Sequence, residues 1–284
     1  MSAPIWPALP VPLLPLLAAA VAWSAAWWLA AGAVARLIDA EWLSPPVIAL
    51  ALPGLLGPAL VAWWFLRRAW AAPERSAFWR GVIDPRGIAP AWWLAILLVG
   101  TGPKLVAFAY GLAAGAVSAE VEPETVAALA FIVAFALAAG LAEEPLWRGV
   151  ARDSAQAMLH PVMAALVVAV VWRAWHLPLF FIPETYQAGL EAASLEVWLF
   201  FLTPLVQSIM LVWLVNAMRG RVFAAVLAHA LTNVAGETLP DTLATGVVEF
   251  IVVVLASVLL VAVTRGSLGL AGEARAQPCS GPRR

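Results

Sequence analysis

The chain has 284 residues, 64% of them hydrophobic and only 12% charged, against about 45–50% and about 25% in soluble domains. With a mean hydropathy of +0.92 and apolar runs near the roughly 20 residues that span a bilayer, a soluble globular fold is excluded. A transmembrane barrel is excluded too, because its strands alternate in and out over about ten residues, whereas both faces of each segment here are apolar. The expected fold class is all-α: a polytopic membrane protein with about eight transmembrane helices enclosing an intramembrane polar cavity. Residues 1–264 form a single transmembrane domain with its motif-bearing core at about 126–236, and 265–284 form a polar cytoplasmic tail.

In chain order, apolar stretches bounded by Pro, Gly and charge mark spans at 11–35, 47–66, 91–115, 126–148, 161–177, 195–218, 222–236 and 247–264. The first lacks a preceding Lys or Arg and is too long for a signal peptide. Between the second and third, Trp70, Phe78 and Trp79 mix with Arg75, Arg80 and Arg86, which suits a short interfacial helix or a solvated loop. Most of the 16 Trp lie near span ends and read as headgroup-level anchors.

Positive residues near span ends resist translocation and so set orientation. Arg67, Arg68, Arg75, Arg80, Arg86, Arg148, Arg152, Arg219, Arg221, Arg265, Arg275, Arg283 and Arg284 fall in one set of alternate connections, and only Arg36 in the other. The opposite loops carry Asp39, Glu41, Glu120, Glu122, Glu124, Glu184, Glu191, Glu237 and Asp241. Eight spans with both termini cytoplasmic satisfy this pattern. No basic cluster suggests a nucleic-acid partner, leaving the lipid bilayer and a substrate as the expected partners. The single cysteine, Cys279, excludes a disulfide framework and a multi-Cys zinc site.

Ionisable groups at a helix centre in lipid cost about 2.5–3.5 kcal/mol each and need a partner or a purpose. Those inside the spans are Lys104, Glu143, Glu144, Arg173, His176, His229 and, near a span end, Glu249. On a helix Glu144 and Arg148 are i, i+4 neighbours, while Glu143 is turned about 100° away from that counter-charge. Pro145 removes a backbone hydrogen bond beside the two carboxylates. Trp172 and His176 share one helix face, as do His229 and Asn233. One unpaired carboxylate, two imidazoles and an amide on three spans can activate water and stabilise an oxyanion, the complement needed to hydrolyse an acyl bond. At about 1.5 Å per residue, His176 lies near the far end of its span and His229 about halfway in, so boundaries must shift or helices tilt for the set to converge.

These residues resemble the CAAX-prenyl endopeptidase and bacterial self-immunity family, CPBP, of intramembrane proteases. Its motifs are Glu-Glu-x-x-x-Arg, Phe-x-x-x-His and His-x-x-x-Asn or Asp. Glu143, Glu144 and Arg148 match the first, His176 the second, and His229 with Asn233 the third, over about a third of the chain. Trp172 stands where the family usually has Phe and keeps an aromatic wall. The resemblance implies an eight-helix fold and an endopeptidase acting on a peptide or protein substrate, which can itself be membrane-anchored. It implies that Glu143 is the general base with His176 polarising the water, that His229 and Asn233 form the oxyanion site, and that Glu144 and Arg148 hold the geometry. It leaves Arg173 unassigned.

Rival expectations come from other classes. Glu143, His176 and His229 could instead hold zinc in a metal-dependent intramembrane protease, although the usual His-Glu-x-x-His helix is missing and Asn is a poor zinc ligand; the expectation carried forward is no cofactor. A proton-coupled transporter, or a non-enzymatic immunity or adaptor protein, would also keep buried carboxylate and His. The Ala-, Arg- and Trp-rich composition points to a bacterial inner membrane.

Overall fold

The computed structural model describes residues 11–118 and 125–270. Glu120, Glu122, Glu124, Arg275, Cys279, Arg283 and Arg284 lie outside the described residues. The described elements are helical: α1 (Leu13–Leu37), α2 (Pro45–Ala69), α3 (Ala72–Ile83), α4 (Pro90–Ala113) and α5 (Val126–Glu144), then a π-helical segment, Pro145–Ala151, running into α6 (Arg152–Gln156). The chain continues through α7 (Pro161–Trp175), a 3-10 turn at Leu177–Phe181, α8 (Tyr186–Gly189), α9 (Leu195–Ala217), α10 (Phe223–Thr238) and α11 (Leu243–Val263).

Seven stretches among the described residues are long and apolar enough to cross a membrane. These include Val126–Gln156 and Pro161–Phe181, each continuous through a change of helix type. The expected span at 222–236 is the one that differs. It is a helix, but the 16 residues of α10 reach only about 24 Å at 1.5 Å per residue, short of the roughly 30 Å hydrocarbon core. The reason is its position. α10 packs against α4, α5 and α9, so protein rather than lipid surrounds it and its length need not match the bilayer. Close approach depends on glycine: a side chain on Gly100 would meet the Ala228 carbonyl at 2.8 Å, and one on Gly140 the Val226 carbonyl at 2.7 Å, the small-residue contact that lets membrane helices meet backbone to backbone.

α10 still completes the alternation. Arg221 Nη1 donates to the Arg86 carbonyl at 2.7 Å, joining the α3–α4 and α9–α10 connections. The His160 ring lies where a side chain on Gly266 would stand, joining the α6–α7 connection to the segment after α11. At the other ends, the Trp42 N–H donates to Glu184 at 3.3 Å, and Gly111 at the end of α4 abuts Thr245 at the start of α11. The connections thus sort into the two sets that the arginine distribution separates.

Prolines inside the spans free carbonyls that lipid cannot satisfy. Pro58 leaves the Gly54 carbonyl without its in-helix donor, and Ser24 Oγ supplies one at 2.7 Å. Pro103 does the same to Val99, whose carbonyl accepts from Gln207 Nε2 at 3.2 Å. The interfacial segment is a helix, α3, with Phe78 fully buried against Gly149 of the π segment. Among the tryptophans near span ends that read as anchors, Trp147 and Trp175 are core residues instead, and Trp28 is buried beside them. Trp28 packs tilted and Trp147 edge-on against Trp175, at 4.4 and 6.0 Å between ring centroids. The segment expected as a polar tail from 265 begins as packed turns. Positive φ at Arg265, Gly266, Leu268 and Gly269 folds it back, and Leu268 is buried beside Ala165, Ile209 and Val212.

Lys104 has a structural partner. Its ammonium donates to Asp241 at 2.7 Å and lies 3.6 Å from Glu249, tying α4 to the α10–α11 connection. Burial works against the charged Asp241, but hydrogen bonds from Lys104 and Thr245 outweigh it and hold its carboxyl below the ordinary 3.8. A depressed acid lends stability that is full above its unfolded value and is lost as pH falls through the folded one. The melting temperature in detergent should therefore fall between about pH 5 and pH 3 more steeply in the wild type than in Asp241→Asn; equal slopes would remove this ion pair from the stability account.

Topology has its own check. With Cys279 replaced, cysteines introduced at the exposed Ala72 and Ala192 should label from opposite faces of the membrane, Ala72 from the cytoplasm. Labelling of both from one face would overturn the eight-crossing arrangement.

Candidate functional site

The site forms where α5 hands over to the π segment. Pro145 cannot donate to the Leu141 carbonyl, and beyond it the backbone widens into π geometry through Ala151, a distortion often found at functional sites. This places Glu143 and Glu144 at the end of α5 and Arg148 one turn on, all three buried. Arg148 Nη1 donates to Glu144 Oε1 at 2.9 Å, the pairing expected from their spacing. The same oxygen also meets His229 Nδ1 at 2.7 Å, which spacing alone does not disclose. A carboxylate only accepts, so Nδ1 carries the proton and the Nε2 edge faces the other way.

Glu143 takes a different partner. Its Oε2 accepts from Trp172 Nε1 at 2.6 Å, so the separation of the two carboxylates holds. Trp172 organises the rest. Its carbonyl lies 2.9 Å from His176 Nδ1; a carbonyl has no proton to give, so Nδ1 is the donor and Nε2 carries the lone pair. The Arg148 guanidinium stands 4.0 Å over its ring, and the His229 ring packs edge-on to it at 5.6 Å. Here Trp does what Phe cannot, because its indole N–H binds a carboxylate.

The depth mismatch between His176 and His229 disappears. α7 stops at Trp175, but the span runs on through the 3-10 turn to Phe181, so His176 caps the α-helix well inside the membrane. His176 and Asn233 are half-buried, whereas Glu143 and His229 are only 4% and 7% exposed. Glu143, Glu144, Arg148, Trp172 and His229 thus form a packed polar cluster. Concavities of about 310 and 420 Å³ open elsewhere, beside Arg80–Arg86 and Gly87–Arg221.

All four expected catalytic residues, Glu143, His176, His229 and Asn233, stand on the three elements anticipated, with Glu144, Arg148 and Trp172 among them. The Asn233 side chain on α10 hydrogen-bonds to no other described residue. Thr232 beside it donates to the Gly100 and Ala228 carbonyls and accepts from Gln207. Counting only ionisable groups passes over Gln207, though an amide three residues after Pro204 in an apolar span is a readable signal. Phe200 is a second omission, since its ring borders both His176 and Arg173. For the metal alternative, no group of three or more His, Cys, Asp or Glu among the described residues is arranged to hold an ion, because Glu144 engages His229 and Trp172 engages Glu143.

Residues 125–235 match the Rce1-like family model of type II CAAX prenyl endopeptidases. The chain is also similar to CAAX prenyl protease 2 of Methanococcus maripaludis, with 33% identity over 116 residues, covering 40% of this chain and 42% of that protein. It thus spans less than half the length of the curated relative it matches. The matched stretch runs from the cap of α5 to the last turns of α10 and contains every residue of the cluster. Over that stretch the chain is similar to the CAAX-prenyl endopeptidase family.

Proposed function

We propose that the protein is an intramembrane endopeptidase that hydrolyses a peptide bond with water activated by Glu143 and His176. The observation that carries this reading is the division between the carboxylates: Glu144 is committed to Arg148 and His229, while Glu143 gives one oxygen to Trp172 and keeps the other for chemistry. Similarity to a protein named as a CAAX prenyl protease supports a prenylated or otherwise membrane-anchored peptide as substrate.

In this mechanism the Nε2 lone pair of His176 accepts a hydrogen bond from a water and orients it, that proton staying on the water oxygen. The free oxygen of Glu143 removes the other proton as the water oxygen attacks the scissile carbonyl. The resulting oxyanion accepts from Asn233 Nδ2–H and from Nε2–H of a protonated His229, whose Nδ1–H is held by the Glu144 carboxylate. Glu143 then delivers its proton to the departing amine, which leaves as the C–N bond breaks. The chemistry requires no metal; activity that is lost on chelation and restored by stoichiometric zinc would replace it with the metal-dependent reading. A proton-coupled transporter or a non-enzymatic immunity or adaptor protein would release no product at all. The protein is an integral membrane protein, placed by this proposal in a bacterial inner membrane with both termini cytoplasmic.

Glu143→Gln keeps the shape of the side chain but removes the base, and should abolish cleavage of a prenylated peptide while leaving the melting temperature in detergent nearly unchanged. His176→Ala should be similarly inactive. Asn233→Ala should lower the rate about 100- to 1000-fold, the usual worth of one oxyanion donor. Near-normal cleavage by Glu143→Gln would reverse the assignment of the two glutamates.

Glu144→Gln should instead be primarily a stability mutant. Removing one member of a buried ion pair typically costs about 3–5 kcal/mol, and here two cationic or protonated partners lose the same carboxylate. Its melting temperature should drop well below that of Glu143→Gln. A well-folded, inactive Glu144→Gln would mean that its carboxylate acts in the chemistry.

A further inference from the structure

The connections that lead into α4 and α10 enclose a basic recess. Its volume is about 420 Å³, and it is lined by Gly87, Ala89 and Trp92 from the α4 side and by Arg219 and Arg221 from the α9–α10 turn. Backbone geometry sets both arginines. Positive φ at Arg219 (58°) and Gly220 (90°) ends α9 in a tight turn, and Arg221 Nη1 is anchored on the Arg86 carbonyl at 2.7 Å. Arg221 Nη2 is thereby held over Gly87, where a side chain would stand only 3.1 Å away. Neither guanidinium has a carboxylate within ion-pair distance among the described residues, since the nearby Asp84 spends both its oxygens on Arg86. Arg67 and Arg68, on the same face, are disposed differently. Their guanidinium carbons lie 4.8 and 3.6 Å over the rings of Trp63 and Trp64, as snorkelling side chains at a span end do.

The recess sits at headgroup depth, because α4 begins there and α9 ends there, and both are long and apolar enough to cross the membrane. Aromatic rings mark that level. Trp92 packs against Trp213 at 5.6 Å and Trp93 against Phe223 at 6.2 Å between ring centroids, the belt expected at a membrane–water interface. From this belt two i, i+4 rows, Trp93 with Leu97 and Leu94 with Leu98, run inward along α4 with all four side chains exposed. Two guanidinium groups beside such a stripe match a ligand with an anionic head and apolar chains. A phosphate ester suits the planar fork of arginine, and a zwitterionic head would bring a cation that both arginines repel.

We propose that this recess binds the phosphate of an anionic phospholipid, held by Arg219 and Arg221, with the acyl chains lying on Trp93, Leu94, Leu97 and Leu98. Basic pockets between membrane helices are suited to acidic headgroups. A lipid held there joins the connections that lead into α4 and α10, the two helices that meet at Gly100 and Ala228, and stabilises the folded chain by mass action. The recess shares no residue with the Glu143 cluster, so its occupancy does not depend on the protease reading.

The test counts lipids bound to the purified full-length protein by native mass spectrometry in an uncharged detergent, using phosphatidylglycerol and phosphatidylcholine with the same acyl chains. The first phosphatidylglycerol should bind about 10- to 30-fold more tightly than phosphatidylcholine, the scale of two basic groups acting on one anionic head. Arg219→Gln combined with Arg221→Gln should erase that preference. Ala89→Trp fills the recess without changing any charge and should erase it too, which carries the test if loss of the Arg221–Arg86 bond unfolds the double variant. Arg67→Gln combined with Arg68→Gln removes the same charge from the same face and should leave the preference intact. An equal loss in that control pair means diffuse attraction to a basic face and overturns the site, as does a preference that survives in a folded recess variant. Displacement of the bound lipid by glycerol phosphate at the lipid's own concentration would assign the recess to a soluble anion and overturn the lipid.

Discussion

The Glu144 carboxylate is the constraint around which the rest of the site is arranged. It is fully buried within a bilayer span, where a lone anion is untenable, and it is neutralised from two directions by Arg148 and His229. Each contact joins elements: Arg148 stands in the π segment after Pro145, and His229 on α10, which approaches α5 as closely as Gly140 allows. The imidazole is thereby locked with its Nε2 edge turned from the carboxylate. A buried ion pair of this kind is weak evidence for net stability; what it does is hold the π segment and α10 to the end of α5 through one carboxylate oxygen.

The same rule governs the scaffold around the site. Proline is tolerated in membrane helices when something else satisfies the carbonyl it frees. Here the substitutes come from neighbouring helices, Ser24 for Gly54 and Gln207 for Val99. Gln207 also binds Thr232, one residue from Asn233. The break in α4 is thus tied through α9 to the turn of α10 that carries the amide. Polar groups that look incidental in the sequence hold the depth at which the site residues meet.

Much of this was legible before the structure. The helical class, the span positions, the Glu144–Arg148 pair and the offset of Glu143 follow from hydropathy and a 3.6-residue period, because these depend on neighbours in sequence. What escaped depends on neighbours in space. The His229–Glu144 contact joins residues 85 apart, and nothing local predicts it. The shortness of α10 escaped because apolar composition reports exclusion from water and does not separate a helix facing lipid from one enclosed by protein. For the same reason Trp147 and Trp175, near span ends in sequence, read as headgroup anchors and are instead interior packing. The apparent mismatch in depth arose from ending a span where α geometry ends, when the 3-10 turn carries the backbone further.

Trp172 shows why one aromatic position can matter beyond its shape. A Phe ring there could still flank His229 and lie under Arg148, contacts that need only a π face. The indole adds a donor to Glu143, and the backbone of the same residue orients His176. Glu143 and His176 are therefore both referenced to Trp172. Any small movement of α7 against α5 changes the Glu143–Trp172 contact before it changes the His176 hydrogen bond, which is internal to α7. The pair is consequently most exposed to disturbance where α5 turns into the π segment, and that is the point at which Glu144 and its two partners clamp the backbone.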